Sequence, residues 1–502
     1  MYTFSKRLKI FSIILILLGA IGWFMSYSSS HHVGIEDVKV LLAEESAHGH
    51  GGHGETHAPA EESHDTGAHH DNAHGTDTHS DEHEGTAHSH DDSTHTHADE
   101  HHHNASHTNE GHGDTHHENG HGTELHEDAH HGDAHAEHVM HQIHNRPYAA
   151  LYVAAFFFFM IALGTLAFYG VQRASMAGWS PLLFRVMEAI TYYVLPGGLL
   201  VLLVAYISDT HVFIWMNENM SLKGHEDYDK LVAGKVGWLN KSGFMIRGII
   251  YLAGWSLYRY FSRKFSLAQD NAEDDRNFKK NFRISAAFLV FYIYTESMMS
   301  WDWIMSVDPH WFSTLFGWYV FASMFVSGIT VIALITIYLK SKGLLEEVND
   351  SHLHDLAKFM FGISVFWTYL WFSQFMLIWF ADIPEEVTYY VTRIEDYKLP
   401  FFGMLLLNFI FPFLVLMNSD YKRIPWFIVM AGVIILIGHY MDVYNMIMPA
   451  TVGDRWGFGL AEISAIAFFA GLFMLCVLYA LSKETLVAKR NPLIKESRHF
   501  HY

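Results

Sequence analysis

The stretch Thr295-Glu-Ser-Met-Met-Ser-Trp-Asp-Trp-Ile-Met-Ser-Val-Asp-Pro-His-Trp-Phe-Ser-Thr314 lies at the centre of the hydrophobic part of this chain. It begins inside an apolar run with Glu296 and leaves that run through Asp302. A short turn with Asp308 and His310 follows, and the next apolar run starts directly after the stretch. Acidic side chains inside or beside a lipid bilayer are costly and are usually kept for a function. The stretch therefore predicts a polar site where two membrane-spanning helices meet.

The composition divides the chain into two parts. Half of the 502 residues are hydrophobic, yet the formal net charge is -21. Residues 41–144 contain 23 Asp and Glu and no Lys or Arg, so the remaining residues carry a net charge of +2, which is -21 without those 23 negative charges. Acidity confined to one insert of an otherwise hydrophobic chain indicates a membrane protein. Nothing in the composition predicts a nucleic-acid partner.

Ligands for a covalently or tightly bound redox group are scarce in this sequence. Cys476 is the one cysteine, so neither an iron–sulfur ligand set nor a Cys-x-x-Cys-His haem attachment site exists. A buried haem b needs two axial ligands, usually His, and only His439 lies deep in an apolar run. The sequence therefore predicts no haem and no iron–sulfur cluster in this chain.

Residues 31–146 form a His-rich insert of low complexity. Residues 31–144 contain 31 of the 39 His and no Phe, Trp or Tyr. Such a segment cannot bury enough apolar surface to offset its ordering entropy, so we predict that it is disordered. Two interpretations stay open: a polar tether, or a loose site for Zn, Cu or Ni, which neutral imidazole suits. The His pairs that could bind such a metal are His48 and His50, His88 and His90, and His95 and His97.

Ten apolar runs predict an all-α polytopic membrane protein with ten transmembrane helices. The first, in residues 1–30, resembles a signal peptide but lacks a clear cleavage site, so we predict a retained helix. Each of the others has the ~20 residues that cross a hydrocarbon core of ~30 Å. They lie near 148–170, 182–208, 242–261, 284–306, 313–339, 357–381, 400–418, 425–448 and 457–481.

The basic residues concentrate in alternate loops between these runs. The N-terminal residues, the loops near 173, 259–283, 340–358 and 422–423, and the tail carry most of the Lys and Arg. Because such loops are usually cytoplasmic, we predict that both termini are cytoplasmic. The His-rich insert and the turn at 307–312 then face outward, which is the periplasm if the membrane is a bacterial inner membrane.

Polar side chains in the third and fifth runs are candidates for a proton path. Arg185, Glu188 and Tyr192 lie on one helical face, where they can form either a proton entry or a packed ion pair. Glu296 has no Lys or Arg one turn away on its own helix and is either a proton relay or a satisfied buried acid. Asp302 follows six residues later, ~240° around the helix, so it serves another neighbour or the aqueous boundary.

The ninth run offers a second candidate site. His439 and Asp442 are three residues apart, so they can take a proton from a quinol hydroxyl or merely pair between helices. Trp303 and Trp311 either wall a quinone ring or belong to an interfacial aromatic belt. Asp308 and His310 form an outer rim for docking or proton exit. The full set of proton-path candidates is Arg185, Glu188, Tyr192, Arg247, Glu296, Asp302, His439, Asp442 and Glu462.

Two segments carry a resemblance to a known family. The N-terminal Met1-Tyr-Thr-Phe-Ser-Lys and the run Ser300-Trp-Asp-Trp-Ile-Met-Ser-Val-Asp-Pro-His-Trp-Phe-Ser-Thr314 resemble the F subunit of bacterial alternative complex III. That complex is a quinol:cytochrome c oxidoreductase, and the subunit is related to the polysulfide-reductase (NrfD-like) membrane subunits. The resemblance covers the first helix and about 148–482. The His-rich insert departs from the family pattern.

The resemblance implies an architecture and a set of partners. Helices two to five (147–306) and six to nine (307–448) would form two four-helix bundles, with the first helix and the tenth (449–482) peripheral and 483–502 a cytoplasmic tail. The implied partners are a homologous ten-helix subunit, an iron–sulfur protein and c-type haem subunits in the lipid membrane, with a terminal oxidase as a further candidate. Menaquinone or menaquinol is the implied ligand.

Three functions are compatible with the sequence. The first is a membrane subunit of a quinol-oxidising complex that guides protons and binds menaquinol. The second is a structural anchor for peripheral redox subunits, since buried pairs can be kept for packing alone. The third is a divalent-metal transporter with the His-rich insert as its outer trap.

Overall fold

The computed structural model describes residues 2–48 and 124–501, and the side chains of residues 2–47 and 133–501. Within these ranges the chain is helical and has no β-strand, which confirms the predicted all-α class. Short 3₁₀ turns connect several of the elements. The α-helices in chain order are α1 (Lys6–His31), α2 (Ile35–His48), α3 (Glu124–Ala174), α4 (Phe184–Ile190), α5 (Val194–Ser208), α6 (Lys230–Lys235), α7 (Lys241–Gln269), α8 (Arg276–Trp303), α9 (Phe316–Ser341), α10 (Asp350–Ala381), α11 (Pro384–Glu395), α12 (Lys398–Leu405), α13 (Phe411–Leu416), α14 (Pro425–Val452), α15 (Leu460–Leu481) and α16 (Ile494–Arg498).

Eight segments in the described part of the chain are long and apolar enough to cross a membrane, so the protein is a multi-pass membrane protein. Two further predicted runs, near 242–261 and 284–306, correspond to α7 and α8. Both helices exceed the ~20 residues needed to span, but neither is among the eight segments. The count of ten stays a prediction. The eight segments are Lys6–His31, Asp133–Ala174, Pro181–His211, Phe316–Ser341, Asp350–Ala381, Lys398–Leu416, Pro425–Val452 and Leu460–Leu481.

The two ends of the described chain meet on one side of the helical body. The hydroxyl of Tyr2 lies 3.3 Å from the hydroxyl of Tyr338 near the end of α9. The carbonyl of Phe500 accepts a hydrogen bond from the side chain of Asn349, at 2.6 Å. We name this side the terminal face. The turn at 304–315, which joins α8 to α9, lies at the other end of these helices, on the opposite face.

Glycines allow two pairs of helices to pack closely. A Cβ atom at Gly164 of α3 would overlap the carbonyl of Met324 in α9, and one at Gly328 of α9 would overlap the backbone of α3. In the same way, Gly19 of α1 and Gly471 of α15 each lie against the other helix's backbone. Small residues at such crossings let helix backbones approach in a membrane, where van der Waals packing drives association. The central helix α9 is therefore fixed directly against α3.

The described flanks of the His-rich insert are helical, which corrects the prediction of disorder across all of 31–146. Helix α2 covers Ile35–His48, and α3 already begins at Glu124. A small apolar cluster explains the order, since Val38 packs with Ala136 and Val139 of α3. The prediction for 49–123, and with it the His pairs from His50 to His97, lies outside the described residues; of His48 the structure describes only the backbone.

The third predicted span, 182–208, is interrupted after its first nine residues. Helix α4 ends at Ile190, the segment Thr191–Tyr193 forms a 3₁₀ turn, and α5 begins at Val194. Pro196 lies in the first turn of α5 and cannot donate a backbone hydrogen bond, which accounts for the break immediately before it. The break turns Tyr192 outward, away from the residues that sequence spacing placed on its face.

Candidate functional site

On the terminal face, Glu188 is the centre of a buried ionic cluster. Its carboxylate accepts hydrogen bonds from Arg185 at 2.9 Å, Arg263 at 3.2 Å, Arg173 at 3.5 Å and the hydroxyl of Tyr169 at 3.0 Å. The ion pair between Arg185 and Glu188, one of the two interpretations of their spacing, is therefore present. Three cations around one buried carboxylate hold it in its charged form, so this cluster fixes helices together more readily than it carries protons.

The cluster extends to the loops of the terminal face. Arg185 also bonds Asp270 at the end of α7, at 2.6 Å, and Asp270 accepts a hydrogen bond from the backbone amide of Lys489 in the tail. Tyr192, the third candidate in this run, is 37% exposed and lies under the guanidinium of Arg259 instead. The structure thus joins Arg185 and Glu188 and separates Tyr192 from them.

On the opposite face, the carboxylate of Asp302 accepts four hydrogen bonds. Arg247 donates two hydrogen bonds to its carboxylate, at 2.8 and 3.0 Å. The indole of Trp238 donates a third at 2.7 Å, and the hydroxyl of Tyr251 a fourth at 3.2 Å. Asp302 is fully buried. Of the two interpretations of Asp302, the neighbour is therefore present and the aqueous boundary is wrong, because α7 covers the residue with a matched cation.

The predicted outer rim, Asp308 and His310, lies in the turn between α8 and α9. The imidazole of His310 bonds the carboxylate of Asp229 at the start of α6, at 2.5 Å. This hydrogen bond lowers the pKa of Asp229 below its usual range. His310 is exposed and Asp308 is partly buried, so both side chains are available at the surface. Whether a partner docks there stays a prediction.

In the middle of α14, His439 and Asp442 form a fully buried pair with 3.5 Å between the imidazole Nδ1 and the carboxylate. The hydroxyl of Tyr319 and the indole of Trp367 both donate to Asp442, the latter at 2.9 Å. The hydroxyl of Ser323 lies 2.8 Å from Nδ1 of His439, whose Nε2 has no partner within the described chain. Sequence spacing found the pair, but not the two donors on α9 and α10 that saturate the carboxylate.

Glu296 is the one proton-path acid that bonds neither an arginine nor a histidine within the described part of the chain. It is 3% exposed, and its hydrogen bonds come from the hydroxyls of Ser300 at 3.0 Å and Ser297 at 3.4 Å, both on its own helix. The sequence analysis anticipated this isolation, because no basic residue lies one turn away on α8. A buried carboxyl with only neutral hydrogen-bond partners can change its protonation state without breaking an ion pair.

Glu296 borders an apolar cavity of about 250 Å³ between α3, α8 and α9. Tyr292 precedes it by one turn on α8, and Trp318, Phe321 and Phe325 of α9 supply aromatic walls. Trp318 is about half exposed, so the cavity opens sideways, toward the surface that would contact lipid. Apolar cavities with a few placed polar groups are typical binding sites for small molecules.

Helix α9 separates the Glu296 cavity from the His439–Asp442 pair. Its Trp318 and Phe321 face the cavity, whereas Tyr319 and Ser323 bond the buried pair. Two polar sites therefore share one helix without a direct contact between their acids. A displacement of α9 would alter both sites together.

Glu462 pairs with Arg146, which was not among the candidate residues predicted from the sequence. Arg146 donates to its carboxylate at 2.8 and 3.2 Å, and Glu462 also accepts the backbone amide of Gly459 at 2.7 Å. The sequence analysis assigned Arg146 to the insert, because it precedes the apolar run of α3. The sequence did contain a signal for Arg146. It is the first basic residue after the acidic tract, and it immediately precedes Pro147.

The two tryptophans that were candidates for a quinone wall are packing residues. Trp303 is fully buried against Phe159 and Trp255. Trp311 stacks on Tyr389 of α11, with ring centres 3.8 Å apart. Neither is among the residues that bond His439 or Asp442. The aromatic wall beside an acid is instead formed by Trp318, next to Glu296.

No group of three or more His, Cys, Asp or Glu side chains within 2–47 and 133–501 is arranged to hold a metal ion. Comparison with known proteins adds no identification, since no protein-family model and no curated protein matches this chain.

Proposed function

We propose that this protein is a membrane subunit of a respiratory quinol:cytochrome c oxidoreductase of the alternative complex III type. In this proposal it has no redox centre of its own, moves protons, and binds a hydroquinone such as menaquinol. Its setting would be a bacterial inner membrane, with both termini in the cytoplasm. The resemblance of 300–314 and of the N-terminal residues supports the family, and the multi-pass helical fold is compatible with it.

The observation that carries the proposal is Glu296, a buried carboxyl without a cation at a cavity that opens sideways. The other acids differ from it: Glu188, Asp302 and Glu462 each bond an arginine, and Asp442 lies beside His439. A paired acid is expensive to protonate, because its cation would be left buried and uncompensated. A proton carrier must be able to take up a proton without leaving a buried cation uncompensated. Glu296 meets this requirement, because no cation bonds it in the described chain.

The Glu296 cavity also suits a hydroquinone better than the site first predicted at His439 and Asp442. A hydroquinone dissolves in lipid, and it would reach the cavity past the half-exposed Trp318. Its hydroxyl could donate to the carboxylate of Glu296, and its ring could pack on Phe321. When bound, a hydroquinone would supply protons and electrons. This chain's residues would hold the ligand and accept a proton, and the electrons would pass to a haem or iron–sulfur group of a partner subunit.

A structural anchor is the second candidate function. The complete pairing of Asp302 with Arg247, Trp238 and Tyr251 favours it, because such a network locks α7 to α8. An anchor role does not account for Glu296. Metal transport is disfavoured in the described core, where His439 and Asp442 already bond Ser323, Tyr319 and Trp367.

Purification under mild, lipid-retaining conditions tests the proposed complex. We expect the full chain to co-purify in fixed ratio with an iron–sulfur protein, c-type haem subunits and a second ten-helix subunit, measured by peptide mass spectrometry and haem absorbance. The Glu296→Gln protein serves as the matched sample and should keep the same subunits. Recovery of the chain without any haem or iron–sulfur protein would contradict the proposal.

A further inference from the structure

Arg259 of α7 is a partly buried cation without a counter-charge. Its Nε has no hydrogen-bond partner, and no acidic side chain within 2–47 and 133–501 bonds its guanidinium. The nearest acid cluster is already occupied, since Glu188 is shared by Arg173, Arg185 and Arg263. The guanidinium carbon lies 4.9 Å from the ring centre of Tyr192. A desolvated cation in this position favours an anion from outside the chain.

A second cation lies beside the first, on the end of α15. The Nζ of Lys483 is 4.6 Å from the ring centre of Tyr479, and the rings of Tyr479 and Tyr192 are 6.2 Å apart. Both rings are about two-fifths exposed. The two tyrosines thus form one platform with a cation over each ring. It lies on the terminal face, where α5 begins and α15 ends.

Exposed apolar side chains of α5 continue from this platform. Leu195 and Leu199 of α5 are exposed below Tyr192. Further along, a groove of about 390 Å³ lies between α1, α3, α5 and α15, lined in part by Leu203 and Phe468. Leu203 is eleven residues from Tyr192, or ~16 Å at 1.5 Å per residue. That distance matches one leaflet, half of a ~30 Å hydrocarbon core.

We propose that the seam of α5, α7 and α15 binds one anionic phospholipid. Its phosphate bonds Arg259 and Lys483, and an acyl chain follows Leu195 and Leu199 into the groove. Basic pockets between membrane helices recognise anionic head groups in this way. A zwitterionic lipid is a poorer occupant, because its ammonium group would meet two cations. The site is independent of any proton or quinone chemistry at Glu296.

Titration of the detergent-solubilised full chain with phosphatidylglycerol, phosphatidylcholine or inorganic phosphate tests this site, with binding measured by native mass spectrometry. We expect phosphatidylglycerol to bind preferentially. Removing each cation, in Arg259→Gln or Lys483→Gln, should weaken that binding about five-fold, and the double variant about 25-fold. Arg259→Lys, which keeps the charge, should retain most of the preference. Lys280→Gln is the matched control, because Lys280 also lies over a ring, that of Phe265.

Three results would overturn the proposal. One is equal binding of phosphatidylglycerol and phosphatidylcholine by the wild-type chain. Another is equal occupancy by inorganic phosphate alone, which would leave an anion site without a lipid. The third is the same loss of binding in Lys280→Gln as in Arg259→Gln. Thermal unfolding of each variant, recorded without added lipid, separates a lost site from a lost fold.

Discussion

Glu296→Gln is expected to lower quinol-driven turnover of the assembled complex by about 10²-fold, the lower end of the usual contribution of a positioned acid or base. Gln keeps the shape of Glu and can still accept from Ser300 and Ser297, but it cannot take up a proton. Subunit ratios should stay unchanged, because Glu296 bonds no other helix in the described chain. The measurement is cytochrome c reduction by menaquinol with the purified complex.

Three further variants test the expected loss of turnover. Glu296→Asp retains a carboxyl group and should recover part of the turnover. Ser297→Ala removes the weaker hydrogen bond, at 3.4 Å, and should have a small effect. Asp442→Asn is also expected to reduce turnover, but Asn would place an amide donor against Tyr319 or Trp367, so folding must be checked in parallel. Normal turnover in both Glu296→Gln and Asp442→Asn would contradict the proton-carrying role.

Asp302→Ala is expected to destabilise the protein by about 3–5 kcal/mol, the usual cost of removing one partner of a buried ion pair. The substitution would leave Arg247 largely buried without an acid and would remove the acceptor of Trp238 and Tyr251. The loss should appear as a lower denaturation midpoint of the solubilised chain and as poor assembly. Thermal or denaturant unfolding followed by intrinsic fluorescence is the measurement.

Asp308→Ala is the matched control for this prediction, because it removes an acid only six residues away, from the surface turn. Its effect should lie within ±0.5 kcal/mol, as for most surface substitutions. The double variant Arg247→Met with Asp302→Leu removes both charges and should recover much of the stability, since apolar replacements of buried ion pairs are often tolerated. A loss below about 1 kcal/mol in Asp302→Ala would mean that the network is not a structural lock.

The helices could be predicted from the sequence because membrane spans have a length and composition set by the bilayer. The ends of the insert could not, because the helices at 35–48 and 124–146 depend on the contact of Val38 with Ala136 and Val139. Disorder was predicted from the average composition of the insert. An average does not show that three apolar residues are positioned to contact one another. Likewise, the break at Thr191–Tyr193 can be explained by Pro196 in the sequence. The outward orientation of Tyr192 could not be predicted, because it depends on packing.

At the site, pairs on one helix were predictable and pairs between helices were not. Arg185 with Glu188, and His439 with Asp442, follow from a spacing of three residues. The partner of Asp302 lies 55 residues away on α7, so no local pattern indicates it. The burial of Asp302 was also predicted wrongly. The apolar content of a run indicates how far along a helix a residue lies, but not whether a neighbouring helix covers it.

The most direct test of the central claim is labelling of the full chain with dicyclohexylcarbodiimide, a lipid-soluble reagent that modifies carboxyl groups in apolar surroundings. The claim is that Glu296 is a proton-carrying carboxyl at a cavity open to lipid, where a hydroquinone binds. Peptide mapping should place the label on Glu296, with no label in Glu296→Gln and slower labelling when menaquinol is present. Labelling of Asp302 or Asp442 with none on Glu296, or labelling of Glu296 that menaquinol does not slow, would contradict the claim.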